Sequence, residues 1–210
     1  MAKEKVPLNT LQDFLPPQCF DEVSKYLHSF QVQLTITRQR STILGDFRNA
    51  HQDKPHRISV NGNLNPYSFL ITLLHELAHL LTYHTFQHKV LPHGKEWKNT
   101  FSNLLITFME KDIFPDDILL TLKKSIAKPS ASSCGDAELL RVLKKYDPKK
   151  KDVLLVEELE EGMIFTIKDG RKFVRGKKIR TRIQCTEIST KKMYLFSGLY
   201  EVKQLPESIL

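Results

Sequence analysis

No run of the chain approaches the roughly 18 consecutive apolar residues that a membrane span requires. The first residues, Met1-Ala-Lys-Glu-Lys-Val-Pro7, contain no continuous apolar segment of the secretory-signal type. The expectation is a cytosolic protein that engages no membrane. Cysteine is scarce: Cys19, Cys134 and Cys185 are an odd number, widely spaced and without a CxxC pair. That spacing excludes both a disulfide framework and a cysteine zinc site, and leaves reduced, unpaired thiols. Internal repeats and low-complexity tracts are also missing.

What is present is enough for one sizeable core and a small appendage, with 210 residues of which 40% are hydrophobic. The net charge of +8 is uneven: residues 1–140 hold 15 Lys/Arg against 14 Asp/Glu, whereas 141–210 hold 17 against 10. The last third is therefore where a polyanion is expected to make first contact. Arg171, Lys172, Arg175, Lys177, Lys178, Arg180 and Arg182 are the candidate nucleic-acid contacts. Phe165, Phe173, Tyr194, Phe196 and Tyr200 interleave with basic residues and could stack exposed bases. The competing reading is a β core whose lysines keep the edges soluble.

Helical periodicity predicts segments at 9–15 and 19–30, separated by Pro16-Pro17, and further helices at 95–110, 116–126 and 136–146. Val32 to Thr37 alternates apolar and polar, and Ile43-Leu44-Gly45 and Arg57 to Val60 follow, which predicts a small antiparallel sheet. Asn65 caps a long helix starting at Pro66 and running to about His88, since proline at the first helical position loses no bond. The stretch 128–135, rich in small and polar residues, marks a boundary, and Asp169-Gly170 predicts a type I′ hairpin turn joining 163–168 to 171–174. The expected layout is α+β: residues 1–130 form the main domain, 131–150 a linker with a short helix, and 151–210 a basic β-rich module.

The chemistry concentrates in His75-Glu76-Leu77-Ala78-His79. Two histidines four residues apart on a helix stand one turn above the other, so both rings can reach one metal ion. On a wheel of about 100° per residue, Leu70, Leu73, Leu74, Leu77 and Leu81 fall on the opposite side, which predicts one packed face and one chemical face. Catalytic zinc normally takes three protein ligands and keeps a fourth position open. Thr82 and Thr85 stand where the metzincin pattern needs glycine and histidine. His93 is the candidate third ligand, at a helix start beside Gly94, with Trp97 anchoring that helix. Glu96 competes for the role, and His84 and His88, a second pair at the same spacing, project away from the metal face. Tyr67, Tyr83 and His84 are conceivable oxyanion stabilisers.

Arg40-Ser-Thr-Ile-Leu-Gly45-Asp-Phe47, Ile58-Ser-Val-Asn61, His75 to His79 and His93-Gly-Lys-Glu-Trp97 occur in the order seen in SprT-like metallopeptidases, which this sequence resembles over residues 10–125. The resemblance implies a zincin-type α+β domain, one Zn2+ on His75, His79 and His93, Glu76 as general base, and kinship with Spartan-type proteases of DNA-linked proteins. Many relatives carry a four-cysteine zinc ribbon after the protease domain. Here residues 150–210 contain only Cys185, so a ribbon-like module without metal is expected. Three functions follow: a zinc metalloendopeptidase acting on peptide bonds, with DNA-associated proteins as candidate substrates; a metal-stabilised nucleic-acid-binding protein with little hydrolysis; and a general cytosolic peptidase.

Overall fold

The computed structural model describes residues 8–40, 42–127, 136–148 and 152–205. Cys134 and the boundary stretch 128–135 lie outside the described residues. The chain divides into two compact units, Met1–Asp147 and Pro148–Leu210. Among the described residues, no helix is long and apolar enough to cross a membrane.

The first unit is α+β and is built around one helix. Pro66–Phe86 (α2) begins where Asn65 accepts a hydrogen bond from the Ser68 amide at 2.9 Å, which satisfies one of the orphan N–H groups of a helix start. The side chains from Phe69 to Ala78 are all buried, together with Leu80 and Thr82. The leucine face expected to pack is buried, and over Phe69–Ala78 the face expected to carry the chemistry is covered as well. A single helix can be covered all round only if other elements wrap it, and here they do. Before it come a 3-10 segment at Leu8–Phe14, the helix Phe20–Ser29 (α1), and the strands Gln33–Thr37 (β1), Gly45–Arg48 (β2) and Arg57–Asn61 (β3). After it come Lys95–Met109 (α3), Asp116–Ala127 (α4) and Ala137–Lys144 (α5). The sheet packs on α2 through Leu34, Ile36, Phe47, Ile58 and Val60, while α3 contributes Trp97, Phe101, Leu104, Leu105 and Phe108.

The helices fall close to their predicted spans, but the sheet differs from expectation. Its order is β1-β3-β2, with β2 antiparallel and β1 parallel to β3. The chain must therefore cross the end of β3 between β1 and β2, and a polar clamp fixes that crossing. Arg40 donates from Nε to Asn61 Oδ1 at 2.7 Å and from Nη1 to Ser59 Oγ at 2.9 Å. Asn61, 1% exposed, donates in return from Nδ2 to the carbonyl of Ile43 at 3.0 Å. Strand β2 consequently begins at Gly45 instead of Ile43.

Helix α5, expected in the linker, belongs to the first unit. Leu139 and Leu143, four residues apart, join its core. Asn65 Nδ2 donates to the Leu143 carbonyl at 3.0 Å and to Asp147 Oδ1 at 2.6 Å, and Tyr146 donates to Asp117 at 2.7 Å. The cap of α2 is thus tied to the last helix of the unit.

The second unit contains Leu154–Leu155 (β4), Ile164–Thr166 (β5), Lys172–Ile179 (β6), Arg182–Glu187 (β7), Met193–Ser197 (β8) and Glu201–Gln204 (β9), in the sheet order β4-β9-β5-β6-β7-β8. Its core is Val156, Leu159, Phe165, Ile167, Phe173, Ile183, Cys185 and Val202. Strands β5 and β6 pair with Phe165 opposite Phe173. Their connection is not type I′, because Gly170 has φ +86° whereas Asp169 is not in the positive-φ region. The Gly170 amide bonds the Ile167 carbonyl at 2.9 Å, giving a turn that ends in a left-handed glycine bulge.

Replacing Asn61 by Ala should lower the unfolding free energy of the first unit by about 2 kcal/mol, since several buried partners lose their bonds together. Urea denaturation followed by Trp97 fluorescence measures this, and an unchanged midpoint would remove the clamp from the account.

Candidate metal centre

Helix α2 carries His75 and His79 one turn apart, and the chain returns past its end to present His93 just before α3. The Leu91–Gly94 turn, closed by a 2.9 Å bond from the Gly94 amide to the Leu91 carbonyl, delivers His93 in a left-handed conformation with φ +59°. That conformation is uncommon and strained for a non-glycine residue, and such strain tends to persist where function demands a particular placement.

The ligand nitrogens of His75, His79 and His93 all lie within 4.8 Å of one another, and Nε2 of His93 is 3.2 Å from Nε2 of His75. Tetrahedral zinc with nitrogen ligands at 2.0–2.1 Å places neighbouring nitrogens about 3.3 Å apart, so the donor set fits such an ion. Trp97, 1% exposed, forms a wall for all three rings, its centroid 4.6 Å from His75 and His93 and 5.2 Å from His79. Phe101 closes the His75 side at 5.6 Å, and Phe47 from β2 lies parallel to His79 at 6.5 Å.

Burial sets the protonation of this group. Desolvation, followed by the charges of His79 and His93, lowers the His75 pKa to about 3, and desolvation with His93 lowers that of His79 to about 4. His93 is lowered by burial and by Lys98. Three neutral imidazoles at pH 7 keep their lone pairs available for a cation. The His75 Nδ1 and Trp97 Nε1 atoms are buried without a protein hydrogen-bond partner.

Glu76, 6% exposed, lies against β2. A Cβ on Gly45 would stand 2.6 Å from Glu76 Oε1 and 2.8 Å from Thr72 Cγ2, so only glycine admits this approach of strand to helix. Burial first, then Asp46, raises the Glu76 pKa to about 8, with Arg40 acting in the opposite direction. A divalent cation nearby would pull it back down.

The other histidines and tyrosines take different places. Glu96 is half-buried in the first turn of α3, and the histidine cluster does not include it. His84 is exposed with its ring edge-on to Phe30 at 5.0 Å, and exposed His88 meets Tyr83 at 5.1 Å. Tyr67 packs with Tyr146 and Phe114, two turns of α2 before His75, about 12 Å along the axis. Tyr83, one turn beyond His79, contacts Phe47 at 6.5 Å and His56 at 5.9 Å.

Residues 16–110 match the family model described as the SprT-like family. That span is similar to the SprT-like family. No curated protein and no solved structure matches the chain. The matched span contains the Arg40–Asn61 clamp, Gly45, the three histidines, Glu76 and Trp97, and ends at the close of α3. Helices α4 and α5 complete the unit outside the match.

In the second unit the candidate basic residues do not line one face. Arg175 and Lys178 pair with the buried positions Cys185 and Ile183, whereas Arg182 pairs with the exposed Ser197. Arg171 bonds Asp169 at 2.9 Å and lies 5.6 Å from the rings of Phe173 and Tyr194. Lys172, Lys177, Lys178, Arg180 and Arg182 are exposed. Phe165 and Phe173 are buried, and Tyr194 and Phe196 pack on that core, so these aromatics build the unit and are not free to stack bases.

Sequence reading gave no role to Phe47, Asp46 or the Gly45 approach. The only signal was the glycine in the run 40–47. Two outcomes test this geometry. In zinc analysis of purified protein, His75→Ala, His79→Ala and His93→Ala should each lose the metal while Glu96→Gln keeps it; the reverse pattern for Glu96 and His93 would reassign the third position. Gly45→Ala should cost about 1–3 kcal/mol of stability by forcing β2 off α2, readable in thermal melts, where a parent-like midpoint would contradict the close approach.

Proposed function

We propose that the first unit is a zinc-dependent metalloendopeptidase of the SprT-like type. The observation that carries this reading is the convergence of three neutral imidazoles beside a buried carboxylate, Glu76, one residue along the same helix from His75. His75, His79 and His93 would hold one Zn2+. Bound there, the ion would supply Lewis-acid polarisation of a scissile carbonyl and lower the pKa of a water from 15.7 to about 7.

Glu76 is the proton carrier: its carboxylate accepts the proton of the attacking water and returns it to the leaving amine. Burial against Gly45 holds this carboxylate in place on the helix, and a cation bound by the adjacent histidines would favour its ionised, proton-accepting form. Trp97, Phe101 and Phe47 orient the imidazole rings and keep bulk water from them. Tyr83 is the tyrosine of α2 nearest in sequence to the metal ligands and is the candidate oxyanion stabiliser of that helix.

The same reading includes a cytosolic setting, supported by the buried free thiols Cys19 and Cys185, and a second unit that folds without zinc, supported by its all-side-chain core. Substrates associated with DNA are part of the proposal through the exposed cations of β6 and β7, which would contact phosphates without reading bases. The alternative, a metal-stabilised nucleic-acid binder with little hydrolysis, draws on the same cations but leaves a buried Glu76 unexplained.

Casein cleavage by the zinc-loaded full chain, assayed with and without single-stranded DNA, separates these readings. Glu76→Gln should retain zinc and lose at least about 100-fold in rate, and DNA should accelerate the parent. Cleavage persisting in Glu76→Gln would end the mechanism; an undetectable parent rate alongside DNA binding would favour the alternative.

A further inference from the structure

A basic cleft of about 770 Å³ lies on the face of the β1-β3-β2 sheet turned away from α2. Strand alternation builds it. Leu34, Ile36, Phe47, Ile58 and Val60 pack against the core, and the intervening residues Gln33, Thr35, Asp46, Arg48, Arg57 and Ser59 line the cleft. Ile36 and Ile58 also border it, and Arg38, Arg40 and Lys54 join from the flanking loops, so five cations face one acid, Asp46.

Two of those cations have work inside the fold. Arg40 holds the Asn61 clamp, and Arg48 bonds Asp46 at 2.8 Å. Among the described residues, Arg38, Lys54 and Arg57 make no ion pair. Arg57 sits directly opposite Arg48 in the antiparallel register, and its Nε is buried without a hydrogen-bond partner. Like charges facing each other across a sheet are destabilising, as is a buried N–H with no acceptor. An anion between these two guanidinium groups relieves both costs.

We propose that this cleft binds the sugar-phosphate backbone of a nucleic acid. The cations extend over β2, β3 and the loops on either side of β2, which suits a ligand with repeated charges better than one carboxylate. Arginine dominates, and its fork matches phosphate oxygens, while Gln33 and Thr35 add neutral donors. No aromatic ring lines the cleft, so bases are neither stacked nor read, and single strands and duplexes share the chemistry. Strand β2 is one rim: Asp46 faces the cleft while its neighbours Gly45 and Phe47 touch Glu76 and face His79. A nucleic acid held there runs one strand's thickness from the metal centre. The proposal stands whether or not that centre hydrolyses peptides.

The test uses the full chain and fluorescein-labelled 20-nucleotide oligothymidylate, with a duplex of equal length as a second arm. Arg38→Gln/Arg48→Gln/Lys54→Gln removes three exposed cations without touching the core, and should weaken binding at least about ten-fold and flatten the slope of log K against log salt by about 2. Arg57→Gln should weaken it further. Lys177→Gln/Lys178→Gln/Arg180→Gln/Arg182→Gln in the second unit serves as the comparison. Parent-like affinity and slope in the triple variant, with all loss confined to the comparison variant, would overturn the proposal, as would equal competition by a 20-residue polyglutamate.

Discussion

The structure depends on how α2 is enclosed. Two imidazoles and a carboxylate stand on a helix covered by β2 on one side and by α3 on another, in an environment that opposes charge on each of them. Burial drives the histidines toward their neutral form and Glu76 toward its protonated form. Polar groups collected in this way are costly unless something shared satisfies them. A divalent cation answers for the three nitrogens together, and water or a substrate oxygen beside it answers for the carboxylate.

Much of the surrounding scaffold exists to hold that enclosure. The Arg40–Asn61 clamp fixes the crossing that starts β2 at Gly45, and Gly45 lets β2 approach Glu76. Trp97 secures the start of α3 and at the same time contacts all three histidine rings. The cap residue Asn65 anchors the far end of α2 to α5. These are contacts between segments distant in sequence, and each transmits the position of a peripheral element to the metal-facing side of one helix.

The parts legible in the sequence were those encoded locally. The long helix, its Asn65-Pro66 start, and the i, i+4 histidine pair follow from spacing and capping chemistry, and His93 followed from the need for a third donor after a helix break. The mixed sheet was not legible, because a parallel β1 depends on a crossing held by side chains about twenty residues apart. The burial of α2 around Glu76 was missed for a related reason: a wheel records only the helix's own residues and cannot register the strand that covers Glu76. In the second unit, alternation of basic and aromatic residues suited both stacking and a core, and packing of Phe165 on Phe173 decides for the core. The basic cleft in the first unit escaped notice because its cations, Arg38, Arg48, Lys54 and Arg57, are scattered among near-neutral sequence and become neighbours only across strands.

The claim at the centre of this account is a single zinc ion shared by three imidazoles. Zinc K-edge X-ray absorption on the full chain loaded with one equivalent of metal measures the ligand set directly. The account predicts three imidazole nitrogens at about 2.0 Å with one further oxygen; sulfur scattering at about 2.3 Å, or a shell with fewer than three imidazoles, would contradict it.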